Sequence, residues 1–160
     1  IEKYLDIIDF IEDPCGFNCE DWFYIQEKYG VQLALDKKNH EALDCLNLES
    51  EKYFRVVIVK PAIETSENYA TLKQRIVFTS YMDHPLGQLC AMYEADNFYE
   101  KYPEKREHCG FLTHSLYEKN SFSEKFSIEN TVLSFQLEPG FGFNSQLEKL
   151  KFEHLYEASI

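Results

Sequence analysis

Residues 56–61 read Val-Val-Ile-Val-Lys-Pro, the most apolar run of the chain, closed by a charge and then by a proline. A short β-branched run with such a boundary predicts a buried strand. Pro61 keeps Lys60 out of helical backbone geometry, which suits a strand end followed at once by a turn. Working upstream, Leu33-Ala34-Leu35-Asp36-Lys37 has the same form, and so does Phe10-Ile11-Glu12-Asp13-Pro14-Cys15. The polar residues that close these runs, Glu12, Asp36 and Lys60, are 24 residues apart each time. That interval is one strand–helix unit. In a parallel barrel every strand delivers its last residue to one rim, so two carboxylates and one ammonium are expected to converge. Taken singly, each is equally well read as solvated rim charge, or, for Lys60, as a structural partner of Glu12 or Asp36. The common register favours a shared site.

The rest of the chain fits the rhythm. Strands are expected over Ile7–Ile11, Val31–Leu35, Phe54–Val59, Ile76–Thr79 and Cys109–Leu112. Between them, Asn18 is placed to cap a helix that runs through Tyr29 and stops at Gly30, with Trp22, Ile25 and Gln26 turned inward. Further helical connections are expected over His40–Leu46, Ser66–Lys73 and Pro85 to about Tyr102, the last burying Leu89, Met92, Tyr93 and Ala95. Strand and helix in alternation predict an α/β fold with a parallel sheet and outer helices. Beyond residue 123 the rhythm stops. Phe126–Ile128 and Val132–Phe135 predict a hairpin around Glu129-Asn130, followed by Glu-Pro-Gly-Phe-Gly-Phe at 138–143 and a helix from about Ser145. The chain thus divides into residues 1–123 and a tail, 124–160.

Composition narrows the classes of function. With 44% hydrophobic and 16% aromatic residues the chain can bury a core, and a formal charge of −12 opposes binding to nucleic acid or to an anionic membrane. No apolar run approaches the roughly 18 residues of a spanning helix. Cys15, Cys19, Cys45, Cys90 and Cys109 show no zinc-ribbon spacing, and free, mostly buried thiols in a reducing cytoplasm are expected. The start, Ile-Glu-Lys-Tyr-Leu-Asp, reads like the end of a helix already under way, which suggests missing upstream sequence.

Carboxylates at two strand ends suit a hard cation such as Mg²⁺, with Glu12 and Asp36 as ligands. Asp13, pointing the other way on an extended chain, is assigned to the loop or to helix capping rather than to the metal. Phe78-Thr79-Ser80-Tyr81-Met82-Asp83-His84-Pro85 gathers hydroxyls, a carboxylate and an imidazole ahead of a helix, so Thr79, Ser80 and Asp83 are candidate substrate contacts. Asp83 and His84 are equally placed to cap that helix, and for His84 capping is the favoured role. Signatures of serine hydrolases, nucleotide-binding loops and dinucleotide enzymes are absent.

In order and spacing, these motifs resemble the second half of the o-succinylbenzoate synthase family, in the muconate-lactonizing branch of the enolase superfamily. The resemblance covers nearly the whole chain, from Phe-Ile-Glu-Asp-Pro-Cys to the turn ending at Gly142. It implies the C-terminal part of a (β/α)-barrel, with Glu12 and Asp36 binding Mg²⁺ and Lys60 as a catalytic cation. Thr79, Ser80 and Asp83 would lie near a small carboxylate substrate. The implied reaction is dehydration of a cyclohexadiene carboxylate to o-succinylbenzoate, on the way to menaquinone. The implied partner is the chain's own N-terminal half, a capping domain plus the first barrel strands, which would carry the base lysine and the third metal ligand. Lys37 departs from the family, where glutamate commonly follows the fifth-strand aspartate. Related cycloisomerases and N-acyl amino acid racemases share the metal site. A non-catalytic acidic binding domain is the reading from outside this class.

Overall fold

Alternation within the strands sorts the apolar residues onto two faces, and both faces are buried. The computed structural model describes residues 2–38, 40–46, 50–135 and 139–151. Four parallel strands, β1 (Phe10–Glu12), β2 (Gln32–Leu35), β3 (Val56–Val59) and β4 (Arg75–Phe78), lie in sequence order. Ile11, Leu33, Leu35, Val57, Val59, Ile76 and Phe78 face outward into the main core. There they meet Trp22 of α1 (Cys19–Tyr29), Ala42 of α2 (His40–Cys45), and Ala95, Phe98 and Tyr99 of α3 (Pro85–Lys101). On the opposite face Phe10, Ala34, Val56, Ile58 and Val77 form a second apolar cluster. A sheet covered on both faces explains why β3 is buried at every position.

The connections follow local chemistry. Asn18 Oδ1 accepts from the backbone N–H groups of Glu20 (2.9 Å) and Asp21 (3.0 Å), and Gly30, at φ +63°, closes α1 in the left-handed conformation. Trp22 is fully buried, while Gln26 donates to Lys52 O at 2.7 Å. His84 caps α3, its Nδ1 accepting from Leu86 N–H at 3.3 Å. The tail forms the expected antiparallel hairpin, β5 (Phe126–Glu129) with β6 (Val132–Phe135), turned by Asn130 and Thr131 at positive φ. Its helix α4 spans Asn144–Leu147; residues 152–160, where that helix was expected to continue, and Glu138 lie outside the described residues.

Several expectations need correction. The first strand is confined to Phe10–Glu12, because pairing starts only where Gln32 of β2 is available; Glu2–Ile7 is a 3-10 helix and Ile7 is 81% exposed. The connection over Ser66–Lys73 is a single 3-10 turn, Ser66–Tyr69, in which the Tyr69 hydroxyl is drawn inward to the Glu64 carboxylate. Cys109–Leu112 shrinks to one parallel bridge, Thr79 to Gly110, after which Leu112–Leu116 coils into a 3-10 helix. The bridge depends on a glycine, since a Cβ at Gly110 would meet Thr79 Cγ2 at 3.0 Å. Tyr93 lies on the open side of α3, 56% exposed, with its ring against Phe141. The cysteines are all free as expected, but Cys15 and Cys90 are exposed and the other three are half-buried. Among the described residues no helix is long and apolar enough to cross a membrane.

Candidate active site

Strand register determines where the charged strand ends fall. Glu12 pairs with Ala34, and Ala34 with Val56, so Asp36 stands two residues further along its strand and Lys60 four. Lys60 is level with Thr79, one step beyond the Val59–Phe78 pair, and Thr79 N–H continues that ladder to Val59 O at 3.0 Å. Alternation puts all four on the face of Ala34, Ile58 and Val77, where they rise as a staircase above an apolar floor.

Asp36 and Lys60 meet as an ion pair, Nζ to Oδ2, with side chains only 10% and 18% exposed. The ammonium also lies 5.7 Å from the centre of the Tyr81 ring. Glu12, the more open member, makes no direct bond to this pair but feels its field. Its carboxyl is held above the ordinary carboxylate range, first by partial removal from water and next by the Asp36 carboxylate, against the pull of Lys60. Glu12 and Thr79 line a cavity of about 360 Å³ whose walls include Phe10, Ile58 and Val77. Asp36 and Lys60 do not line that cavity. Thr79 Oγ1 is buried there without a hydrogen-bond partner among the described residues.

The remaining candidates are engaged elsewhere. Ser80 is buried, its hydroxyl 2.7 Å from that of Thr113, and its N–H bonds Gly110 O. Asp83 accepts from Tyr81 N–H at 2.9 Å, which ties down its own loop. Asp13 serves the loop as expected: its two oxygens accept from Asp36 N–H and Lys37 N–H, both at 3.0 Å, and so hold the β2 rim against the β1 rim.

Two charged assemblies escaped the sequence reading. Behind the rim, Lys38 and Glu64 form a second ion pair at 2.9 Å, with side chains 8% and 14% exposed. Lys38 Nζ also donates to Ile58 O at 2.6 Å, while Glu64 accepts from Lys60 N–H at 3.2 Å and from the Tyr69 hydroxyl. At the opposite end of the inner face Arg75 bonds both oxygens of Asp9 at 2.8 Å and reaches Glu107 at 2.7 Å. The 65-residue-plus separation of Asp9 from Arg75 hides the second from any local pattern, and nothing distinguishes Lys38 from its exposed neighbour Lys37.

Among the described residues no group of three or more His, Cys, Asp or Glu side chains is arranged to hold a metal. Glu12 and Asp36 nonetheless fit a hard divalent cation as two of its ligands. They are oxygen donors that strand alternation sets on one face of the sheet. No family model matches the chain. It is 29% identical over 153 residues to the o-succinylbenzoate synthase of Bdellovibrio bacteriovorus. The match takes in 93% of this chain and 45% of that protein, so the chain spans less than half the length of the relative it matches. Over nearly its whole length, then, the chain is similar to part of an o-succinylbenzoate synthase, the family its strand-end motifs resemble.

Proposed function

We propose that the chain is the C-terminal part of an enolase-type (β/α)-barrel lyase that forms o-succinylbenzoate from a cyclohexadiene carboxylate in menaquinone biosynthesis. Residues 1–123 would supply the later barrel strands. Residues 124–160 would carry the hairpin and helix toward a capping domain built from upstream sequence. The observation that carries this reading is the meeting of Asp36 and Lys60, with Glu12 beside them, at the C-terminal ends of neighbouring parallel strands. That is the rim where barrel enzymes do their chemistry.

In this reading Glu12 and Asp36 hold Mg²⁺, which supplies positive charge against the negative charge that develops when a proton leaves the carbon next to the substrate carboxylate. Lys60 presents a second, fixed cation to the same region, oriented in advance by Asp36 and the Tyr81 ring. Ala34, Val56, Ile58 and Val77 close the floor against water and so strengthen these interactions. Thr79, level with Lys60, offers a buried hydroxyl to the substrate. The proton-abstracting base and the third ligand belong to upstream strands. In the intact enzyme, Glu12→Gln and Asp36→Asn should each lower magnesium-dependent turnover about 10²- to 10³-fold. Circular dichroism should remain unchanged. Wild-type turnover after either substitution would remove that residue from the site, and turnover indifferent to magnesium would sink the lyase reading.

A further inference from the structure

Two of the five free thiols belong to different helices yet lie together: Cys19, the first residue of α1, and Cys45, the last of α2, have their sulfurs 3.2 Å apart. That distance is an S–H···S contact, about 1 Å longer than the ~2.05 Å of a covalent S–S bond. The approach is built into the packing of the two helices. Both side chains rest on the main core, to which α2 also contributes the fully buried Ala42, and the backbone N–H of Cys19 donates to Glu41 Oε1 of α2 at 3.2 Å. The start of α1 is therefore held against α2 at two points. The other three thiols are placed differently: Cys15 and Cys90 are exposed, and Cys109 lies 3.6 Å from the Tyr99 hydroxyl.

We propose that Cys19 and Cys45 are an oxidative modification site, closing reversibly to a disulfide that staples α1 to α2 when a low-molecular-weight disulfide acts as oxidant. The thiolate of one cysteine attacks the small disulfide, forming a mixed disulfide and releasing one small thiol. The neighbouring cysteine then attacks the protein-side sulfur and releases the second. The protein loses two protons and two electrons, and one small disulfide becomes two thiols. Burial, then the bonds to Cys45 and Glu41, push the Cys19 thiol up to about 12. Either cysteine can open the reaction, and the other, 3.2 Å away, resolves it. The new bond closes a loop through α1, β2 and α2, the segment that follows Glu12 and carries Asp36.

The test is to incubate the full-length protein with oxidised glutathione and map its peptides by mass spectrometry. The expected product is a Cys19–Cys45 cross-link, lighter by two hydrogens, with a higher unfolding midpoint, both reversed by dithiothreitol. Cys19→Ser should trap a stable glutathione adduct on Cys45. Separate adducts on both cysteines of the wild-type protein, a cross-link to Cys15 instead, or a full thiol count after prolonged oxidation would each overturn the proposal. Cys45→Ser provides a second route to the same answer, because it should abolish both the cross-link and the gain in unfolding midpoint.

Discussion

At the scale of single residues, the rim carries charge at a cost to the fold. Lys38 and Glu64 are both nearly enclosed, and Glu64 also orients Lys60 through its backbone N–H. Removing one partner leaves the other charge buried without compensation. Lys38→Met or Glu64→Gln is expected to destabilise the protein by about 3–5 kcal/mol in urea unfolding, with the double substitution costing much less than the two combined. Additive losses would show that the two do not act as a pair. Glu12 poses the reverse case. Its folded-state carboxyl is raised above the ordinary 4.5, so folding favours the protonated form. Stability should therefore decline as pH rises from 4.5 through the raised value, and stay lower above it. Glu12→Gln is expected to flatten that decline and to be more stable than wild type at neutral pH. Magnesium should narrow the difference by stabilising the wild type alone, and a pH profile identical in both proteins would count against a strained carboxylate at Glu12. The three strand-end charges were legible because each interrupts an apolar run at a fixed interval. Lys38 was not, since Lys37-Lys38 looks uniformly solvated until the fold turns the second inward.

Among the secondary-structure elements, what could be read in advance depended on whether the signal was local. α1 has both of its ends written in sequence, Asn18 at its start and Gly30 at its close. Asn18→Ala removes the acceptor for two N–H groups and should cost about 1 kcal/mol, read as a lowered urea midpoint. No change would mean that water replaces the cap. The connection after β3 was expected to be helical, yet it forms one 3-10 turn, within which the Tyr69 hydroxyl bonds the Glu64 carboxylate, a tertiary contact no periodicity records. Cys109–Leu112 has strand composition, yet ladder formation needs a partner at each step, and only the bridge from Gly110 to Thr79 forms. α3 shows a third kind of miss. Gln88 is fully buried because its amide accepts from His114 N–H at 3.1 Å and donates to Phe111 O, a bridge between segments that a hydrophobicity pattern would place on the surface.

For the whole molecule, the four-stranded sheet is parallel, and parallel sheets persist where both faces and both edges are covered. Here the outer face is sealed by α1, α2 and α3, whereas the inner face rests on a small cluster around Ile58, and β1 stands at the sheet's edge. A strand edge with unsatisfied N–H and C=O groups recruits other chains unless something pairs with it. The chain also spans 45% of the relative it matches, and the proposed chemistry lacks a base and a third ligand among the residues at its rim. These features lead to one expectation: expressed alone, residues 1–160 should aggregate or be inactive. Supplying the upstream segment, either fused or as a separate polypeptide, should restore a soluble species and magnesium-dependent formation of o-succinylbenzoate together. Size-exclusion chromatography and a turnover assay on the same samples separate the outcomes. A monodisperse 160-residue monomer with a cooperative melt would show that the sheet is finished as it stands, and catalysis by that monomer would overturn the division of the active site between two halves of a barrel.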